Sequence, residues 1–99
     1  MDYGIKKQTT LSFDEAVDKV KSVLATHGFG VLTEIDVQAT LKKKLDVDTE
    51  KYIILGACNP AFAYEAIKAE SDIGLLLPCN VIVYTKEGKT FVNAIKPSV

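Results

Sequence analysis

Between Ser12 and Gly28 the apolar residues Phe13, Ala16, Val17, Val20, Val23 and Leu24 recur three and four positions apart, a stripe that constrains the chain more than any other feature. Such spacing sets all six side chains on one face of a helix. Ser12 followed by Glu15 fits a capping box, in which each side chain satisfies a backbone N–H at the helix start. Gly28 ends the helix as the left-handed residue beyond its C-cap. His27, the chain's one histidine, is placed to contact the last carbonyls and the negative end of the helix dipole. An amphipathic helix needs a surface to cover, and strand-like runs elsewhere in the chain supply it.

Those runs change period from helix to strand and back. Tyr3 to Thr9 reads as a first strand with Tyr3, Ile5 and Lys7 on one face. Phe29 to Ile35 is rich in Val, Leu, Thr and Ile and reads as a second. Tyr52 to Ala57 is nearly continuous in apolar residues, which suggests a strand buried on both faces or close to it. Val81 to Thr85 and Thr90 to Ile95 form a hairpin across Lys86-Glu87-Gly88-Lys89, with Gly88 supplying a positive φ.

Two further helices lie between these strands. Asp36 caps one, with Val37, Leu41 and Leu45 as its stripe and Lys42-Lys43-Lys44 on its solvated side. Asn59-Pro60 opens the other, with Asn as N-cap and Pro in the first turn, and with Phe62, Ala63, Ala66 and Ile67 as the buried side. Ser71 to Leu77 fits either a loop or a short strand. The expected class is α+β: a mixed, mainly antiparallel sheet of 4–5 strands with two to three helices packed largely on one face, forming a single domain over residues 1–99.

Composition narrows the partners. Apolar residues at 47% and charged residues at 25% are the balance of a folded domain rather than a disordered one. A formal net charge of −1, with the lysine run flanked by Asp36, Asp46, Asp48 and Glu50, gives no footprint for nucleic acid. The longest nearly apolar stretch, Ile73 to Tyr84, contains Pro78 and Asn80 and is too short to span a bilayer. Met1 to Lys7 lacks the apolar core of a secretory signal, so a cytoplasmic location with reduced thiols is expected.

Candidate chemistry gathers in two similar segments, Ala57-Cys58-Asn59-Pro60 and Leu77-Pro78-Cys79-Asn80. Cys58 precedes a helix N-terminus, whose partial positive charge favours thiolate, and a second thiol nearby would complete a redox pair or part of a metal site. Free cysteine also serves as a small buried apolar residue at strand ends. Strand direction decides between these. If the third helix is a crossover between parallel strands, the thiols stand about 20 Å apart at opposite sheet ends. If the chain returns across the sheet, they can meet. With no Cys-x-x-Cys pair, a closed four-ligand zinc site has too few ligands in one chain. Glu34 and Asp36 share a strand face; as a pair they suit acid–base work, and singly they suit a lysine partner and a helix cap. No phosphate loop, catalytic triad or nucleotide motif is present, and no cofactor is indicated.

Three blocks in order carry a family resemblance: Gly28-Phe29-Gly30-Val31-Leu32-Thr33-Glu34-Ile35-Asp36-Val37, Leu55-Gly56-Ala57-Cys58-Asn59-Pro60, and Gly74-Leu75-Leu76-Leu77-Pro78-Cys79-Asn80-Val81. With these the chain resembles the bacterial and archaeal domain of unknown function 302 family. The resemblance implies a small α+β domain that forms homodimers, with no assigned activity. It singles out Glu34, Cys58, Asn59, Pro60, Pro78, Cys79 and Asn80, which a fold-defining role would single out equally well.

Two functions follow as expectations. One is a homodimeric, non-catalytic binding or interaction module with a small-molecule or metal ligand near the Cys-Asn segments, at Glu34, Cys58, Asn59, Cys79 and Asn80. The other is a thiol-based redox or metal-handling protein using Cys58 and Cys79.

Overall fold

A computed structural model of the chain describes residues 4–95. Five strands, β1 (Gly4–Thr9), β2 (Gly30–Asp36), β3 (Tyr52–Cys58), β4 (Cys79–Lys86) and β5 (Lys89–Ile95), form one sheet in the order β1-β5-β4-β3-β2. Every neighbouring pair is antiparallel. Helix α1 (Phe13–Thr26) carries the chain from one edge strand to the other, and α2 (Val37–Leu45) joins β2 to β3. Helix α3 (Pro60–Ala69) and a 3-10 helix over Ser71–Leu76 fill the connection from β3 to β4. Tyr3, expected on the first strand, lies outside the described residues.

Local chemistry explains the boundaries. The Ser12 hydroxyl accepts from the Glu15 N–H at 3.2 Å while the Glu15 carboxylate accepts from the Ser12 N–H at 3.1 Å, so the capping box is complete. Gly28 adopts φ +80° after the C-cap His27, and His27 Nδ1 lies 3.1 Å from the Val23 carbonyl oxygen. Asp36 caps α2 by accepting from the Ala39 N–H at 2.9 Å. The lysine run is solvated as expected, with Lys42 held by Asp46 and Asp48 at 3.0 and 3.2 Å. Glu87 and Gly88 both take positive φ in the turn between β4 and β5, the geometry of a tight two-residue hairpin.

The core is a single layer between α1 and one sheet face. Ala16 and Val17 pack on Val83, with Phe13, Val20, Ile53 and Val92 around them. Leu55, Ala57 and Val81 are also buried, and Leu55 and Val83 are the largest side chains wholly removed from solvent among the described residues.

The opposite face departs from expectation. Strand β3, expected to be buried on both faces or close to it, is buried at Leu55 and Ala57 on the α1 side, while on its other face only Gly56 is buried and Tyr52 and Ile54 stay half-open. Cross-strand register puts Tyr52, Tyr84 and Phe91 in one row and Ile54, Ile82 and Asn93 in the next, all turned away from α1. The three rings stack, with centroids 5.4 Å apart at each step, and Lys6 Nζ sits 4.8 Å from the Phe91 centroid. Tyr52, Ile54, Ile82, Tyr84 and Phe91 remain half-open to solvent. An apolar run of this length cannot tell which of its faces will find a cover.

The third helix also differs. Phe62, Ala63, Ala66 and Ile67 are not a buried side: no residue of α3 is buried, and Phe62 and Ile67 are exposed. The helix packs mainly against the 3-10 segment, which replaces the expected loop or strand, and the two project from the sheet end as an arm.

Candidate functional site

The three sequence blocks converge where that arm leaves and re-enters the sheet. Antiparallel pairing of β3 and β4 brings Ala57 opposite Cys79 and Gly56 opposite Asn80, and pairing of β2 with β3 brings Gly30 opposite Cys58. Neither a parallel crossover nor a return of residues 71–77 across the sheet is observed: the chain leaves and re-enters at one sheet end, so Cys58 and Cys79 lie at the same end, on adjacent strands. Strand alternation turns them to opposite faces, because Cys79 shares the face of Ala57 and Cys58 shares that of Gly56. Both are free thiols, Cys58 half-buried and Cys79 exposed.

Asn59 has a structural task at this junction. Its Oδ1 accepts from the Phe62 N–H at 3.1 Å and caps α3, with Pro60 in the helix's first turn. Its Nδ2 stands 3.2 Å from where a Cβ on Gly28 would be, so the α1–β2 turn and the arm base fit together closely. Gly56 has a similar role. A Cβ there would run into Thr33 Oγ1 and stand 2.8 Å from Pro78 Cγ. The absent side chain lets Thr33 and Pro78 lie over β3, next to a Leu77–Pro78 peptide bond that is cis.

Glu34 is separate from this cluster. It lies on the α1 side of β2, where Lys21 of α1 reaches its Oε1 at 2.9 Å. Asn80 is exposed at the start of β4. Thus Cys58, Asn59 and Asn80 gather at the arm base, while Cys79 and Glu34 face the other way. Among the described residues, no group of three or more His, Cys, Asp or Glu is arranged to hold a metal ion.

Two shallow clefts lie elsewhere. One of about 360 Å³ runs between α1 and the β1–β5 edge, lined by Ile5, Leu11, Val20 and Val92 among others, and one of about 290 Å³ lies beside α2 around Gln38, Lys42 and Thr49. Neither includes a candidate residue from the sequence blocks. Sequence reasoning also missed the stacked row Tyr52–Tyr84–Phe91 and the exposed arm residues Tyr64, Leu75 and Leu76. The one available signal was Leu75-Leu76-Leu77, an apolar run with neither helical nor strand period.

A five-stranded antiparallel sheet with α1 on one face and a helical arm at one end defines a small α+β domain. Residues 5–99 match the model of the family described as Domain of unknown function DUF302, and the chain belongs to that family. It is similar to the crystal structure of an uncharacterized conserved DUF302 protein from Bacillus stearothermophilus. That likeness has a TM-score of 0.90 at 28% identity and covers 98% of this chain and 76% of the other. No curated protein matches the sequence.

Proposed function

We propose that this chain works as a homodimeric, non-catalytic interaction module. One observation carries the reading. A monomeric globule of 10.8 kDa exposes about 5,500 Å², whereas this chain exposes 7150 Å². The excess is roughly 1,600 Å², more than the seven residues outside 4–95 supply even as wholly exposed chain, about 1,100 Å². The radius of gyration, 14.7 Å, likewise exceeds the roughly 12.6 Å of a compact chain this long.

A single-layer core whose second sheet face keeps Tyr52, Ile54, Ile82, Tyr84 and Phe91 half-open leaves apolar surface for a partner. Stable association buries about 800 Å² or more per partner, and the exposed arm side chains Phe62, Tyr64, Leu75 and Leu76 together with the half-open sheet row are apolar surface from which it can be drawn. The Cys-Asn segments enter this reading as the base of the arm, since Asn59 caps α3 and Pro78 lies over Gly56. Sedimentation velocity over a wide range of protein concentration tests it. A dimer persisting on dilution supports the module; a monomer at every concentration removes the reading.

A further inference from the structure

The arm and the half-open sheet face both present apolar side chains to solvent, and they match each other. On the arm, Leu75 is 90% exposed, Leu76 73%, Phe62 69% and Tyr64 63%. Four large apolar side chains exposed on one short arm are surface of the kind that marks an interaction site. On the sheet, Tyr52, Tyr84 and Phe91 in one row and Ile54 and Ile82 in the next form a half-open, largely apolar floor. The arm packs mainly on itself, so its own sheet leaves these side chains free.

Charge agrees with shape. Strand alternation from Tyr84 and Phe91 places Lys86 and Lys89 on the open face with Lys6, and among the described strand positions of that face there is no carboxylate. From Pro60 to Leu76 the arm carries Glu65, Glu70 and Asp72 against Lys68 alone, three negative charges to one positive. A basic-rimmed floor and an acidic apolar arm on the same chain are complementary between copies.

We infer that the open sheet face of one protomer receives the α3 arm of a second copy, with the exchange made twice about a twofold axis. The inference rests on the homodimeric reading and specifies its interface. Twofold symmetry satisfies both surfaces at once, since each protomer offers one arm and one face.

The test uses the full chain. Phe62→Ser/Leu75→Ser/Leu76→Ser alters only exposed side chains, so the monomer fold, followed by circular dichroism, should survive. Loss of three buried anchors should weaken dimerisation about a hundredfold or more. A second measurement does not depend on that variant. In a Cys58→Ser/Cys79→Ser background, protein carrying Leu75→Cys is mixed with protein carrying Ile82→Cys and mildly oxidised. An arm-to-face mixed disulfide is expected. A wild-type dimer that survives the triple substitution and yields no mixed disulfide overturns the arm exchange while leaving the homodimer standing. A wild-type monomer ends both.

Discussion

The ring of Pro78 lies across β3 at Gly56, where a Cβ would stand 2.8 Å from Pro78 Cγ. Thr33 closes on the same spot from β2. Two segments remote in sequence therefore depend on one missing side chain. Gly56→Ala forces both neighbours to move, and overpacking of this kind costs about 1–3 kcal/mol. Thermal melts should register a fall of roughly 4–8 °C per kcal/mol. Adding Thr33→Ala should recover part of the loss, since one of the two obstructions is then gone. An unchanged melting temperature in Gly56→Ala would show that the arm base has slack.

Asn59 and the Phe62 N–H are joined by the cap that starts α3. Losing such a cap costs about 1 kcal/mol. Because no α3 residue is buried, the loss should appear locally: amide exchange across residues 60–76 quickens in Asn59→Ala while the sheet amides hold. Asn59→Asp keeps the oxygen acceptor and should restore protection. Uniform acceleration across the whole chain would make Asn59 part of the global core instead.

The Glu34–Lys21 pair joins β2 to α1 in a partly solvated setting, at 37% and 48% side-chain exposure for Lys21 and Glu34. Pairs of this kind contribute about 0–1 kcal/mol. Glu34→Gln should lie within that range, and the difference should shrink in high salt. A larger loss that ignores salt would give Glu34 a task beyond pairing.

Glu15 is held below its ordinary value of 4.5, first by the Ser12 backbone N–H and second by the Ser12 hydroxyl, against a small opposing effect of burial. The ionised form is thus favoured by folding. Its contribution is complete above pH 4.5 and fades as pH falls through the lowered folded-state value. Glutamine still serves a capping box, so Glu15→Gln should match wild type near neutrality. Between pH 5 and pH 3 its melting temperature should fall less steeply than that of wild type. Parallel curves would place acid sensitivity elsewhere.

The helix ends and the hairpin were legible because their signals are local. Ser12 with Glu15, Asp36 with Ala39, and Glu87-Gly88 each settle their own geometry within a few residues. The α+β class followed from alternating periods. What stayed hidden depends on pairing across the chain. No local pattern sets Tyr52 beside Tyr84 and Tyr84 beside Phe91, and none shows that this row faces away from α1. The apolar side of α3 was visible as a stripe, yet a stripe does not say whether the rest of the fold will cover it. The blocks around Cys58 and Cys79 were found, but their convergence needed the antiparallel order of β3 and β4.

That order also sets the behaviour of the thiols. Cys58 and Cys79 sit on adjacent strands at one sheet end, with side chains on opposite faces. A disulfide needs the two Cβ vectors to converge, and a sheet's pleat holds these apart. Mild oxidation of the protein should therefore yield no intramolecular bridge, read as no loss of two hydrogens in the intact mass. Under native conditions exposed Cys79 should be alkylated before half-buried Cys58, and unfolding should erase the difference. A bridge forming within one chain at native conditions would require the end of β4 to twist or unpair. It would also revive a redox role for this sheet end, with the arm base as its moving part.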